Sequence, residues 1–201
     1  MKKEFISLLI CASILYLTCC EDNPVNDSDV NNQFGYFKLG AYWSYQQDSG
    51  LQRYYSEKVI LEEANDFYKI QVTFFMIDST IGGNNISIDT TLIAKDTIYK
   101  RITSQGLMIY DKRKEENFYV LKKPYINGNT WIDSVDENVH MSFTIINQDT
   151  LYAIPGKTFT NCIKVQRWSA EIFPSYFQYI FSPDVGMVQY GNYRLYNYSI
   201  P

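Results

Sequence analysis

From Tyr36 onward the apolar residues of this chain recur at every second position, in short stretches separated by turn residues, and that period admits strands and little else. Tyr68, Ile70, Val72, Phe74 and Met76 alternate with Lys69, Gln71, Thr73 and Phe75, and Gly82-Gly83-Asn84-Asn85 then supplies the positive-φ residues of a hairpin turn. Residues 86–101 continue as one long or two short strands. Residues 107–111 and 117–122 flank a charged tip, and 141–146 alternate up to a turn at Asn147-Gln148-Asp149. Residues 159–168, 176–181 and 187–198 complete about ten strands with turn signals every 8 to 15 residues. No window carries a clean helical stripe, and the ambiguous stretch 56–64 is assigned to strand. The 18 Tyr and 12 Phe suit pleated surfaces far better than a helical bundle. The connections are too short for parallel crossovers, so the predicted fold is all-β, an antiparallel meander.

The N-terminus is built differently. Met1-Lys2-Lys3 is a short basic segment, and Phe5 to Leu17 is an apolar run interrupted only by Ser7 and Ser13. At 1.5 Å per residue that run covers about 20 Å, well short of the roughly 30 Å hydrocarbon slab, and so reads as an export signal and not as a spanning helix. Leu17-Thr18-Cys19-Cys20 resembles the bacterial lipobox, in which a Leu and a small residue precede the cysteine that is diacylated. Cys20 fits best as the lipidation site; Cys stands before it where Gly, Ala or Ser is usual, and Cys too is small. Residues 1–19 are thus a predicted lipoprotein signal peptide, 20–33 a lipidated cysteine with a polar, acidic, flexible tether, and 34–201 a single β-domain. Acidic residues directly behind Cys20 also resemble the signal that sends some lipoproteins to the outer face of the outer membrane, so an outer-membrane location, periplasmic or surface-exposed, is expected.

These boundaries simplify the cysteines. Cys11 and Cys19 leave with the signal and Cys20 takes the lipid, which leaves Cys162 alone in the domain, expected as a small buried apolar residue. A formal charge of −4 provides no basic surplus for a phosphate backbone, and nucleic acid is not expected as a partner. A membrane barrel is disfavoured as well, because both faces of 54–61 and of 92–101 carry charge where a lipid-facing row must not. One internal echo stands out: Gly40-Ala41-Tyr42-Trp43 and Gly128-Asn129-Thr130-Trp131 share G-x-x-W at an offset of 88 residues. It marks either two sheet halves, each opening on a tight turn and a Trp anchor, or a coincidence.

A single His140 excludes His-rich zinc sites, and the H-E-x-x-H, G-x-S-x-G and P-loop patterns are absent. No cofactor is expected, and a catalytic function is the minority reading. Asp followed by Ser or Thr and then an apolar residue or Thr occurs at Ser79, Thr90, Thr97, Ser134 and Thr150. The pattern resembles the sequon of a periplasmic O-glycosylation system, although Asp-Thr at strand starts is also ordinary turn chemistry.

Three stretches together resemble a family of bacterial lipoproteins with no assigned activity. They are Tyr36-Phe37-Lys38-Leu39-Gly40 running to Trp43-Ser44-Tyr45, Pro155-Gly156-Lys157-Thr158-Phe159-Thr160-Asn161-Cys162-Ile163-Lys164-Val165, and Tyr179-Ile180-Phe181-Ser182-Pro183-Asp184-Val185-Gly186-Met187-Val188. Lys38 stands where a Pro is usual and Asp184 where a Gly is common. The resemblance implies a curled antiparallel sheet or half-barrel of the lipoprotein-carrier kind and brings no catalytic residues with it. Two functional classes follow. One is a membrane-anchored binding or interaction module for a lipid, a glycan or an envelope protein. The alternative is a hydrolase of envelope or extracellular glycans using scattered carboxylates such as Asp111, Glu137 and Glu171. The concave face of a curled sheet must be filled, and Phe74, Met76, Phe143, Ile163 and Phe181 are expected to line a groove that is either a collapsed core or a binding cavity.

Overall fold

The computed structural model describes residues 35–47, 53–63, 67–82, 85–111, 116–136, 139–169 and 175–201. The predicted signal segment, Cys20, the predicted tether and residues 112–115 of the charged tip lie outside them. Twelve antiparallel strands form one sheet: β1 (Tyr42–Gln47), β2 (Arg53–Glu63), β3 (Phe67–Gly82), β4 (Asn85–Thr103), β5 (Gly106–Asp111), β6 (Glu116–Lys122), β7 (Thr130–Asp136), β8 (Val139–Ile154), β9 (Lys157–Ser169), β10 (Ser175–Ser182), β11 (Gly186–Tyr190) and β12 (Tyr193–Ser199). Consecutive strands are neighbours throughout except at β6 and β7, and the first strand pairs with the last, from Tyr42↔Ser199 to Gln47↔Tyr193. The predicted meander therefore curls further than a half-barrel, into a nearly closed barrel.

The remaining seam lies between β6 and β7, where side chains replace the ladder. The backbone N–H of Tyr119 donates to Asp133 Oδ2 at 2.7 Å, and Trp131 Nε1 donates to the carbonyl of Tyr119 at 2.9 Å. Both main-chain groups of Tyr119 are thus met by side chains of β7, which blunts an edge that would otherwise invite another chain.

The G-x-x-W echo marks two halves. Gly40 and Gly128 have φ of +86° and +87°, conformations that favour glycine. Each begins the same local network: Gly40 N donates to Val59 O and Gly128 N to Ile145 O, Ala41 N to Lys38 O and Asn129 N to Ile126 O, Val59 N to Ala41 O and Ile145 N to Asn129 O. A β-bulge then follows in both halves, between Val59 and Leu61 and between Ile145 and Asn147. Strands β1–β6 and β7–β12 are two copies of one six-stranded unit, and each Trp anchor crosses to the other copy, Trp43 Nε1 donating to Val185 O at 2.7 Å and Trp131 Nε1 to Tyr119 O.

Three local expectations differ from the structure. Residues 147–149 are not a turn: β8 runs through them with successive bulges, and Asp149 takes a φ of +59° inside the strand. Residues 187–198 form two strands, because a turn at Gly191-Asn192 splits them. The count is twelve strands and not about ten, because β1 and β7 are added and residues 187–198 are divided.

The inward rows are apolar and heavily aromatic. Trp43, Tyr45, Tyr55, Val59, Ile70, Phe143, Ile145, Phe159, Val165, Val188 and Leu195 are all buried, whereas Lys58, Lys95 and Arg194 are exposed on the outer surface. Eight strands enclose an interior that ordinary side chains just fill, and twelve enclose more. That geometry is the physical use of so many Tyr and Phe, and it sets the conditions under which a cavity survives.

Candidate functional site

A cavity of about 250 Å³ lies inside the barrel. Both halves contribute to its wall: Tyr36, Phe37, Trp43, Tyr45, Tyr55, Val72, Phe74, Ile98, Leu107 and Phe118 from the first, Tyr179, Phe181, Met187, Tyr190 and Tyr193 from the second. Phe74 and Asp96 are the exposed members of the wall and mark its opening. Tyr45 and Tyr55 stack with ring centroids 4.5 Å apart and planes 12° from parallel, and Tyr193 meets Tyr55 edge-on at 5.0 Å. Such pairs add about 0.5–1.5 kcal/mol each beyond area burial and hold the wall stiff.

Polar groups are few and placed. Lys100 Nζ on β4 reaches across β3 to Glu57 Oε2 on β2 at 2.6 Å, and both residues are 5% exposed. The same ammonium sits 5.9 Å from the centre of the Phe37 ring. Arg167 Nη1 donates to the Tyr179 hydroxyl at 3.4 Å, and its guanidinium lies over the Phe177 ring at 4.5 Å. Tyr45 donates its hydroxyl to Met187 O at 3.0 Å, whereas the enclosed Tyr55 hydroxyl has no hydrogen-bond partner. Burial above all, with the Glu57 carboxylate adding to it at Tyr45 and Tyr55, holds the phenols of Tyr36, Tyr45 and Tyr55 well above their ordinary range.

The five residues expected to line a groove divide. Phe74 and Phe181 line the cavity, and Phe181 together with Ile163 borders a second, smaller void of about 30 Å³. Phe143 belongs to filled core: it is fully buried and stacks on Trp131 at 5.4 Å and 4°. Met76 is half-buried on β3 and forms no part of the cavity wall. Collapsed core and cavity thus coexist in one interior. Of the five sequon hydroxyls, Thr90 and Thr97 are on exposed β4 residues, Thr150 has its hydroxyl enclosed, and the side chains of Ser79 and Ser134 lie outside the described residues. Asp96 spends one carboxylate oxygen on the backbone N–H of Thr97, at 2.7 Å. Cys162 is buried as expected; burial first, and then Asp184, pushes its thiol up to about 11, which leaves little thiolate at neutral pH.

The carboxylates weighed for a hydrolase, Asp111, Glu137 and Glu171, have side chains outside the described residues. Within the cavity the buried carboxylate, Glu57, is occupied by Lys100. Among the described residues no cluster of three or more His, Cys, Asp and Glu could hold a metal ion.

Sequence reading missed Glu57, Lys100 and Arg167 as site residues, although a signal was present. Glu57 interrupts the apolar row Tyr55, Val59 and Lys100 the row Ile98, Ile102. A charge of each sign on otherwise inward-facing rows is what a buried ion pair looks like in sequence. No family model, curated protein or solved structure matches the chain.

Proposed function

We propose that this chain is an exported lipoprotein, anchored through Cys20 at the outer membrane or cell surface, whose barrel binds one small, mostly apolar molecule in its interior. The observation that carries the binding reading is the cavity itself. Protein interiors pack to the density of organic crystals, and here an interior rich in large aromatics still leaves about 250 Å³ open beside Phe74 and Asp96. Predominantly apolar walls with a few convergent polar groups are the ordinary make-up of a small-molecule site. The enclosed, unpartnered Tyr55 hydroxyl supports the same reading, because an unsatisfied buried polar group costs about 1–3 kcal/mol that a ligand's hydrogen bond offsets. The anchor rests on the apolar run 5–17 and on Leu17-Thr18-Cys19-Cys20. A 13-residue tether behind it gives a coil reach of roughly 20 Å, enough to hold a barrel clear of the headgroups.

The exported chain carrying Cys20→Ala should leave the membrane fraction, which provides unlipidated protein for titration with the neutral dye N-phenyl-1-naphthylamine. The expected result is saturable one-to-one binding that Phe74→Asp weakens at least tenfold with the circular dichroism spectrum unchanged, since Phe74 is partly exposed at the opening. Absence of binding up to the dye's solubility limit would refute the cavity as a site.

A further inference from the structure

The duplication lets the chain be compared with itself, position by position. Trp43 pairs with Glu57 as Trp131 pairs with Phe143; Glu57 pairs with Val72 as Phe143 pairs with Arg167; Val72 pairs with Asp96 as Arg167 pairs with Phe177. Two rungs along the same ladders, Tyr68 pairs with Lys100 as Ile163 pairs with Phe181. Each charged side chain of the cavity therefore has an apolar counterpart in the other half: Phe143 for Glu57, Phe181 for Lys100, Phe177 for Asp96 and Val72 for Arg167. The architecture is satisfied by apolar residues at all four positions, so the fold does not explain the charges. Enclosing Glu57, Lys100 and the Arg167 Nε costs desolvation energy that must be recovered by a partner.

Three of the four charges are accounted for. Glu57 and Lys100 neutralise each other, and Asp96 is exposed at the opening. Arg167 is different. No carboxylate among the described residues lies within 4.0 Å of its guanidinium. It touches a neutral phenol hydroxyl and an aromatic face, and its Nε is enclosed with no hydrogen-bond partner. A guanidinium presents a planar fork of donors that matches a carboxylate in two parallel hydrogen bonds.

We propose that the cavity takes a compact monocarboxylate, an aromatic or short-chain alkyl acid, with its carboxylate on Arg167 and its apolar body against Tyr55, Ile98 and Tyr190. The inference rests on the binding reading above and adds to it the charge and size of the ligand. The size follows from the volume: about 250 Å³ exceeds the roughly 150 Å³ of an apolar cavity that holds benzene and falls short of the roughly 300–1,000 Å³ of drug-sized pockets.

The test displaces N-phenyl-1-naphthylamine from the unlipidated Cys20→Ala chain with 4-phenylbutyrate or with its uncharged amide, 4-phenylbutyramide, at fixed ionic strength. The acid is expected to displace the dye at least tenfold more effectively than the amide. Arg167→Met should abolish that preference while the dye still binds, and Arg167→Lys, which keeps the charge and loses the fork, should retain part of it. Equal displacement by acid and amide, or a preference that survives Arg167→Met, would overturn the carboxylate assignment and leave the cavity reading standing. Failure of the dye itself to bind would overturn both. The comparison of acid with amide on unsubstituted Arg167 decides the ligand's charge even if the Met variant does not fold.

Discussion

Lys100→Met lowers the stability of the barrel by about 3–5 kcal/mol, and adding Glu57→Leu to it restores or exceeds the original stability, by up to about 1–4 kcal/mol. The single substitution leaves Glu57, 5% exposed, with an uncompensated charge among aromatic rings. Its carboxylate must then take up a proton or draw in water, and either response costs stability. The double substitution removes both desolvation penalties and fills the space with side chains of similar volume, as Phe143 and Phe181 already do in the other half. Urea midpoints measured at unchanged m-value give the comparison directly. If the two variants were equally destabilised, the ion pair would be contributing to the fold, and the argument that the cavity charges serve something other than architecture would lose its basis.

Alkaline pH is expected to unfold the protein cooperatively once it rises beyond about 10. The phenols of Tyr36, Tyr45, Tyr55, Tyr125 and Tyr179 are all raised above the ordinary value of 10.0, with burial the leading cause in each case. Below pH 10 these groups are protonated in both folded and unfolded chains and do not make stability depend on pH. Above it the unfolded chain releases protons that the folded one retains, so the stability contributed by each buried phenol is lost as pH rises, at about 1.4 kcal/mol per pH unit. Five such groups together remove about 7 kcal/mol per unit, comparable with the whole stability of an ordinary domain. Phenolate absorbance and far-UV circular dichroism should therefore show a coincident step. A smooth phenolate titration completed near pH 10 with the sheet signal intact would contradict the buried placement of these rings.

The strands themselves were largely legible because alternation is a local property. Tyr68 to Met76 announces β3, and Gly82 and Asn85 mark where β3 ends and β4 begins, from side chains a few residues apart. The closure was not legible. The pairing of β1 with β12 joins residues some 150 positions apart, from Tyr42 with Ser199 onward, and nothing within either six- or seven-residue strand specifies it. The bulges of β8 escaped for a related reason. Asn147, Gln148 and Asp149 have turn chemistry, and only the partner strand, where Asn147 sits opposite Lys164 and Thr150 opposite Cys162, turns a predicted stop into a bend. The G-x-x-W echo was visible, but two matches carry little weight until Gly40 and Gly128 are seen to start identical hydrogen-bond networks.

The candidate site was half legible, at the level of rows. A row shows which side chains point inward, and Phe74 and Phe181 lie on rows that reach the cavity wall. It does not show which row faces which across the interior. Phe143 meets Trp131 and Phe118, rings large enough to close the space, whereas Glu57 meets Lys100 across β3 and leaves room beside it. Core and cavity separate on that difference, which is a fact about three strands at once.

Native mass spectrometry of the chain purified from membranes of its own host tests the central claim most directly, since it weighs whatever the barrel carries. The account predicts the chain beginning at a diacylated Cys20 together with one small noncovalent molecule per barrel, released on mild collisional activation and missing when Ile98→Trp fills the cavity. Lipidated protein with no retained molecule, or a retained molecule indifferent to Ile98→Trp, would contradict it.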